Sequence, residues 1–432
     1  MVTASGAYFL IRLRFFFLLH PKKCVNTALK NLKGDGAFSS FSLALAGTLG
    51  IGNIVGVAVG LSVGGAGAVF WLMLSSLFSA VIKYAEGTLC SDMGDGKGML
   101  GVIEKTFGKL SRPLFIFYAS LILLLSFVMG GALQSASIGG CAEECLGMRG
   151  GMTALIITVA LFFSVLGNGE KIKKIINISI PLTTIIYILL CFFTILLNFS
   201  LIDDAVFSIF KSAFKSESAI GGVLGFLLSE KIREGYLRAI LSNEAGAGTS
   251  SIAHSMNPSE DRSSVGVLGI LEVFFDTVLL CGLTALSLLV SVDDFSGMSG
   301  IRIVLLGIGS VFGAVSEYLV FVCILAFAYS TVICWYYYGR FVVGLFLDKR
   351  GGVMFSLLFF ASVFIGATVD GDILIGVTDT VLFLLSLISL SALIKNSDRV
   401  VALSEKSGLI RWGRDRASRS LPRRKYNRED LP

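Results

Sequence analysis

Eight glycines fall between residues 47 and 67 of this 432-residue chain, inside an otherwise apolar stretch. A glycine costs about 1 kcal/mol relative to alanine in a helix interior, so the stretch makes unwinding cheap and would free carbonyls and amides for a ligand. Alternatively, Gly52, Gly56, Gly60 and Gly64 repeat every four residues and would let another helix approach closely. The sequence leaves both interpretations open. It excludes a dinucleotide site, because the spacing is GxGxxxG and no acidic residue follows in a strand context.

A second polar, glycine-bearing segment covers residues 242–254 and includes Asn243, Glu244, Gly246 and Gly248. Its composition predicts a second discontinuous helix. One such break in each half of a membrane chain points to a binding site near the midplane, formed by inverted repeats. Glu244 beside the break could bind a cation or donate a hydrogen bond, and a capping role for Glu244 and Ser242 is the alternative.

A third group of side chains lies in residues 327–339, where Ser330 and Thr331 precede Trp335. Since Thr331 and Trp335 are four residues apart, a helix places a hydroxyl beside an indole on one face. Ser330 adds a second oxygen nearby. The aromatic residues that begin with Trp335 are alternatively typical of the belt at a membrane interface.

Four ionisable residues lie within apolar segments, where each costs about 2.5 to 3.5 kcal/mol at a helix centre unless it is satisfied. Lys83 and Glu86 are spaced three apart and are expected to pair with one another. Glu272 and Asp276 are spaced four apart, and their like charges repel. A bound cation, a proton or a water-lined cavity would relieve that repulsion.

The composition indicates that membrane helices position these groups. Hydrophobic residues make up 54% of the chain and charged residues 15%, against roughly 25% charged residues in soluble domains. Charge-free stretches of membrane-spanning length recur between residues 36 and 394, and we count ten or eleven crossings. In lipid such segments must be helical. We therefore expect an all-α polytopic protein with a transport domain at residues 36–394, an interfacial segment with a shortened first helix at 1–35, and a basic tail at 395–432.

The charge distribution sets the expected orientation. The net charge is +6, and 11 Lys or Arg against 5 Asp or Glu follow Ile394. Basic short loops and this tail are expected on the cytoplasmic side, facing anionic lipid headgroups of the bilayer. No nucleic-acid partner is expected. Acidic residues such as Asp203, Asp293 and Asp370 are then expected outside.

Several function classes are disfavoured by what the chain lacks. The eight cysteines show no metal spacing, and the two histidines form no cluster, so we expect no metal beyond a coupling ion and no cofactor. Cys141 and Cys145 could form a disulfide or remain two free thiols. No activated nucleophile is evident, which argues against an enzyme. No repeated filter sequence or charged ring is evident, which argues against a channel.

With these segments in hand, the chain resembles the alanine or glycine:cation symporter family, which has the leucine-transporter fold. The family's glycine-rich stretch appears at residues 50–58, and its GGxGAVFW and KYAE motifs appear at 64–71 and 83–86. Its SNEAG segment begins at Ser242, and its FAFSTxxxWxYYG motif appears at 327–339. The resemblance implies a 5+5 inverted-repeat bundle with two discontinuous helices. This chain departs from the family pattern at Ala239 and Ala247.

The resemblance also implies site residues. The substrate would lie among Asn53, Gln134, Thr331, Trp335, Gly130 and Gly131. The cation would lie among Gly50, Asn53, Ser330 and Thr331. A zwitterion needs such dipoles and hydroxyls, because a bare carboxylate or ammonium cannot be left unpaired in an apolar site.

The expected function is sodium-coupled uptake of a small neutral amino acid, alanine or glycine, by alternating access. A proton-coupled amino acid symporter is the alternative, and a channel-like membrane protein is a further one. The resemblance implies a multi-pass monomer in the bacterial inner membrane, with a cytoplasmic C-terminus. The sequence leaves the choice between sodium and proton open.

Overall fold

The computed structural model describes residues 1–34, 36–165, 169–214 and 230–410. All regular secondary structure in this part of the chain is helical. The reason is the backbone: apolar segments of this length can satisfy their amide and carbonyl groups in lipid only within a helix. The predicted all-α, multi-pass fold is confirmed.

The first half of the bundle begins with a broken helix. Its two arms are α4 (Ala37–Thr48) and α5 (Val55–Gly64), joined through a 3₁₀ turn at Ile51–Asn53, and the arms are bent by 59°. Four continuous crossings and one short helix follow. In chain order they are α6 (Gly67–Met93), the short α7 (Met99–Thr106), α8 (Gly108–Leu146), α9 (Gly150–Val165) and α10 (Gly169–Leu197).

The second half repeats this order of elements after a connecting helix, α11 (Ile202–Ala213). Its broken helix has the arms α12 (Glu230–Asn243) and α13 (Ser251–His254). The elements that follow are α14 (Arg262–Ser291), the short α15 (Gly300–Gly307), α16 (Ala314–Gly344), α17 (Lys349–Gly366) and α18 (Gly371–Lys395). The last helix in the described part is α19 (Ser397–Lys406).

Both halves therefore contain, in chain order, a broken helix, a long helix, a short helix, a second long helix and two further crossings. Five crossings per half is an odd number, so the second half enters the membrane from the opposite side. In the described residues, seven helices are long and apolar enough to span a membrane, or eight with the bent pair α4–α5. Counting the 16-residue α9 and the second broken helix as crossings as well gives ten, against the ten or eleven predicted.

Backbone angles explain both breaks. Gly50 is extended at φ −116° and ψ −153°, which ends α4. In the second break Glu244, Gly246 and Gly248 have φ of 53°, 87° and 74°. Glycine adopts this left-handed region without the steric cost that other residues meet. The two predicted discontinuous helices are thus present.

The four-residue glycine repeat packs α5 against α12. A Cβ added at Gly52 would lie 3.3 Å from the Leu241 carbonyl oxygen, and one at Gly60 would lie 2.9 Å from the Cγ of Arg238. Glycine spacing therefore allows close approach. The structure thus shows both the unwinding at Gly50 and the close packing of the repeat on the other broken helix.

Aspartates fix where three elements of the second half begin. Asp261, Asp348 and Asp370 each precede a helix, and their side chains accept backbone N–H groups of the first turn. Such caps satisfy amides that have no partner within the helix.

The N-terminal residues form α1 (Val2–Arg12), α2 (Phe16–Leu19) and the amphipathic α3 (Pro21–Leu32). Gly6 of α1 lies directly against Phe78 of α6. The Tyr8 hydroxyl lies 2.8 Å from the Ser397 Oγ, and Arg12 pairs with Asp398. These contacts join the two ends of the described chain at one end of the bundle. Of the predicted tail, residues 411–432 lie outside the described residues.

Candidate functional site

The first break brings together three of the predicted site residues. The backbone N–H of Ile51 donates to the Oε1 of Gln134 at 3.3 Å. A Cβ added at Gly50 would lie 3.0 Å from both the Gln134 Oε1 and the Thr331 Oγ1. Gly50 therefore lies between an amide from α8 and a hydroxyl from α16, and a Cβ there would press on both.

Trp335 and Gly130 lie next to each other on a neighbouring side of the first break. The indole Nε1 of Trp335 donates to the Gly47 carbonyl at 3.4 Å, and the indole is fully buried. A Cβ at Gly130 would overlap the Trp335 side chain. Gly131 faces elsewhere, because a Cβ there would meet the Ser362 Oγ of α17. Gly130 thus lines the Trp335 side of the break, and Gly131 packs α8 on α17.

The Thr331 hydroxyl lies among carbonyl oxygens of two helices. Its Oγ1 is 2.9 Å from the Ala46 oxygen, 3.3 Å from the Leu49 oxygen and 3.0 Å from the Phe327 oxygen. A hydroxyl has one hydrogen and can donate to only one of them. Carbonyl and hydroxyl oxygens grouped in this way are the ligands that a hard cation such as sodium prefers.

Ser330 lies next to this oxygen cluster on α16. Its Oγ bonds back to its own helix, 2.8 Å from the Ala326 oxygen and 2.9 Å from the Phe327 oxygen. The carbonyls of Ala46 and Leu49 are ligand candidates that the sequence did not indicate, since any residue type presents a carbonyl.

The Asn53 side chain belongs to a different cluster. Its Nδ2 donates to the Ser242 Oγ at 3.1 Å and to the Asp276 carbonyl at 3.0 Å, and it also contacts the Asp276 carboxylate. Ser242 Oγ lies 3.0 Å from both carboxylate oxygens of Asp276, and the Thr277 Oγ1 lies 3.0 Å from one of them. Every one of these residues is buried.

This second cluster joins the two broken helices to α14. It holds a buried carboxylate, two hydroxyls and the Asn53 Oδ1, which has no hydrogen-bond partner among the described residues. Buried polar atoms normally have partners, so the free oxygen marks a place where a cation or water would bind. Asn53 and Gln134, which the resemblance placed together, thus face two neighbouring polar clusters.

The second break is held by side chains from outside its own helix. Gly246 N–H donates to the Glu86 Oε1 at 2.9 Å, and the Tyr118 hydroxyl donates to the Ala247 carbonyl. Asn243 Oδ1 accepts the Ala245 N–H at 3.0 Å, and Thr249 contacts the Glu244 carboxylate. Asn243 therefore satisfies an amide of its own segment and Glu244 a hydroxyl, whereas α13 has no side-chain cap and Ser242 bonds to Asp276.

One expectation about charged pairs is wrong. Lys83 bonds to Glu272 of α14 at 2.8 Å and not to Glu86. Glu272 thus has a cationic partner, whereas Asp276 is held by the neutral side chains of Asn53 and Ser242.

A cavity of about 530 Å³ leads toward the first break. Its floor includes Ile51 and Leu133, and its rim carries the acidic mouth, formed by Glu143, Glu144, Asp370 and Asp372. Because Ile51 N–H bonds to Gln134, the floor adjoins the proposed substrate site. Near this mouth Cys141 and Cys145 are free thiols, with sulfur atoms 3.9 Å apart.

Comparison with known proteins identifies relatives of this chain. The model of the sodium:alanine symporter family matches residues 1–406. A sodium/alanine symporter of Methanococcus maripaludis is 27% identical, covering 95% of this chain and 94% of that protein. A sodium/proton-dependent alanine carrier protein of a Bacillus species is 25% identical, covering 88% and 90%. An uncharacterized transporter of Haemophilus influenzae is 28% identical, covering 91% and 89%.

Proposed function

Since the chain belongs to the sodium:alanine symporter family and is thus a cation-coupled amino acid symporter of the membrane, we propose that it couples uptake of alanine or glycine to a sodium gradient by alternating access. Members of this family are transporters and not enzymes. The finer assignment concerns which amino acid, which ion, and which residues hold them.

The observation that carries the proposal is the position of Gly50 between Gln134 and Thr331. On one side of this glycine, backbone N–H groups suit the carboxylate of an amino acid, and the amide oxygen of Gln134 suits its ammonium group. On the other side, the oxygen atoms around Thr331 suit sodium. An ion there would stabilise the unwound backbone that the substrate needs, so each ligand would favour the other's binding.

Close packing around the break favours a small side chain. Gly130 has no room for a Cβ beside Trp335, and Gly50 has none beside Gln134. A substrate whose side chain is a hydrogen or a methyl fits such a space best. This supports alanine or glycine over a larger neutral amino acid.

The acidic mouth is proposed to face the outside. Basic loops and the C-terminal tail would then lie in the cytoplasm of a bacterial cell, with anionic lipid beside them. We further propose that a single chain is the transport unit, because both broken helices and both polar clusters come from one chain.

Uptake of labelled alanine into proteoliposomes tests the proposal. Accumulation is expected with an inward sodium gradient and not with a proton gradient alone. Thr331→Val removes the hydroxyl and is expected to raise the sodium concentration for half-maximal uptake by tenfold or more, whereas Thr331→Ser keeps the hydroxyl and stays close to wild type. Uptake driven by protons alone would overturn sodium coupling, and failure to move alanine or glycine in folded protein would overturn the substrate.

A further inference from the structure

Glu86 is a buried carboxyl that the proposed transport site does not use. It lies seven residues before the end of α6, about 10 Å along the helix axis. Its side chain is 1% exposed. Oε1 accepts the Gly246 N–H, and the Gly248 N–H also faces the carboxyl, whereas Oε2 makes no hydrogen bond of normal geometry in the part of the chain that the structure describes. A buried carboxylate normally has a cation or several donors.

The nearest cation is already paired. Lys83 Nζ donates to the Glu272 Oε1 at 2.8 Å and to the Ser250 Oγ at 2.6 Å. The other oxygen of Glu272 lies 2.8 Å from the His254 Nε2. Glu272 therefore balances the charge of Lys83, and Glu86 has no counter-ion of its own among the described residues.

The titratable groups that face Glu86 come from four elements. They are Lys83 and Cys90 of α6, Glu244 and His254 of the second broken helix, Glu272 of α14, and Tyr118 of α8. The two that can carry positive charge, Lys83 and His254, both bond to Glu272. A metal cation would need several oxygen ligands, but a proton needs one lone pair, and Glu86 offers a free one at Oε2.

The same residues hold the second broken helix in place. Glu86 bonds to Gly246, Lys83 bonds to Ser250, and His254 bonds to Glu272. All three contacts join the segment from the break to α13 with α6 or α14. If this end of the bundle opens, the contacts separate and water reaches Glu86.

We propose that Glu86 is a proton-binding site whose protonated form holds the break and α13 closed against α6. The proposal rests on alternating access as the function. Water stabilises the charged carboxylate, so the proton binds more tightly in the closed state than in the open one. By linkage, a rise in internal pH then favours opening, and acid internal pH favours closure. The proton exchanges with water at the end we assign to the cytoplasm.

Cys90 supplies a native reporter of this motion. It lies one turn after Glu86, is 1% exposed, and contacts the second broken helix through Ser251. In inside-out vesicles, we expect modification of Cys90 by an impermeant maleimide, followed by mass spectrometry, to accelerate as the pH of the medium rises. One proton limits the change in the opening equilibrium to about tenfold per pH unit. Rates are divided by those of unfolded protein at each pH, which removes the titration of the thiol itself.

Glu86→Gln mimics the protonated form. It should label slowly at every pH, and its alanine uptake should lose the dependence on internal pH that the wild type shows. The matched control is Glu104→Gln, at an exposed carboxylate paired with Lys97, which should behave as wild type. Retained pH dependence in folded Glu86→Gln would overturn the proposal.

The wild type alone keeps the proposal testable if the variant does not fold. Cys90 labelling that does not change with internal pH would overturn the proton site. If the Cys90 labelling rate of the wild type changed with sodium concentration but not with pH, the proton site would be overturned in favour of a sodium site. Because labelling needs no transport, a protein that moves no alanine but shows pH-dependent Cys90 labelling would overturn the substrate and leave the proton site standing.

Discussion

The hydroxyl of Thr331 lies where the proposed ion meets the broken helix. Three carbonyl oxygens lie within 3.3 Å of its Oγ1, and it can donate to only one. The oxygens to which it does not donate lie close to its lone pairs, an arrangement that a cation would stabilise. A valine at this position would therefore remove a ligand and leave the Ala46 and Leu49 carbonyls without the threonine hydroxyl.

Lys83 and Glu272 give a stability prediction at the residue scale. Both side chains are almost fully buried, with relative exposures of 1% and 0%. Removing one partner of a buried pair leaves the other charge uncompensated and costs about 3 to 5 kcal/mol. Lys83→Met is therefore expected to lower the thermal unfolding midpoint of the purified protein strongly, as measured by differential scanning fluorimetry.

The matched variant removes both charges of the pair. Lys83→Met combined with Glu272→Gln should recover most of the lost midpoint, because the introduced glutamine can keep a hydrogen bond to His254 and neither charge of the pair is left without its partner. If the double variant were as unstable as the single one, the ion pair would not be the cause, and the packing of the Lys83 stem would be.

At the scale of single elements, the second break depends on glycines in left-handed backbone. Gly248 has φ of 74°, and a Cβ there would lie 2.5 Å from the Tyr118 hydroxyl and 3.0 Å from the Met99 Cβ. Gly248→Ala is therefore expected to cost at least about 1 to 2 kcal/mol, from backbone strain and from the displaced tyrosine. This cost is expected to appear as a lower thermal unfolding midpoint and a weaker affinity for alanine.

Gly151 of α9 is the control for that change. It lies in a helix, and a Cβ there meets nothing within 4 Å. Gly151→Ala should leave the midpoint and the affinity for alanine unchanged or slightly raised, because alanine favours helix over glycine. Equal effects of the two substitutions would argue against a special role for the break.

The sequence predicted the elements better than their contacts, for a physical reason. Both breaks follow from glycine, whose cost in a helix is local and therefore visible in the chain. The partner of Lys83 is 189 residues away on α14, and no local spacing indicates it. The three-residue spacing predicted an ion pair between Lys83 and Glu86, but in the folded chain Lys83 pairs with Glu272 instead.

At the candidate site, too, some residues were predicted from the sequence and others became evident only in the structure. Gln134, Thr331 and Trp335 were predicted through the family motifs, and the structure brings them to the first break with Gly50. The carbonyls of Ala46 and Leu49 carry no signal in the sequence, because every residue has one. The role of Asp276 in the Asn53 cluster needed the second broken helix and α14 to meet, which only the fold shows.

At the scale of the whole molecule, two halves of equal element order enclose the site, and the cavity that begins at the acidic mouth ends beside it. The route from this mouth ends at Ile51 and Leu133, whereas on the other side the second break is held by Glu86, Lys83 and Glu272. A transporter that alternates must close the mouth before those contacts separate. On the proposed alternating-access mechanism, the structure is open as far as Ile51 on the side of the acidic mouth and closed at the second break.

This assignment predicts how access to the mouth changes with ligands. Ser137 lines the cavity between its rim and its floor. In a Cys145→Ser background, which removes the half-exposed thiol near the mouth, Ser137→Cys should react with an impermeant maleimide added outside. Sodium with alanine should slow that reaction several-fold by favouring the closed mouth, while Ser296→Cys, in an exposed loop before α15, should react at the same rate throughout. Protection of both positions would indicate a non-specific effect, and protection of neither would mean that the mouth does not close over the substrate.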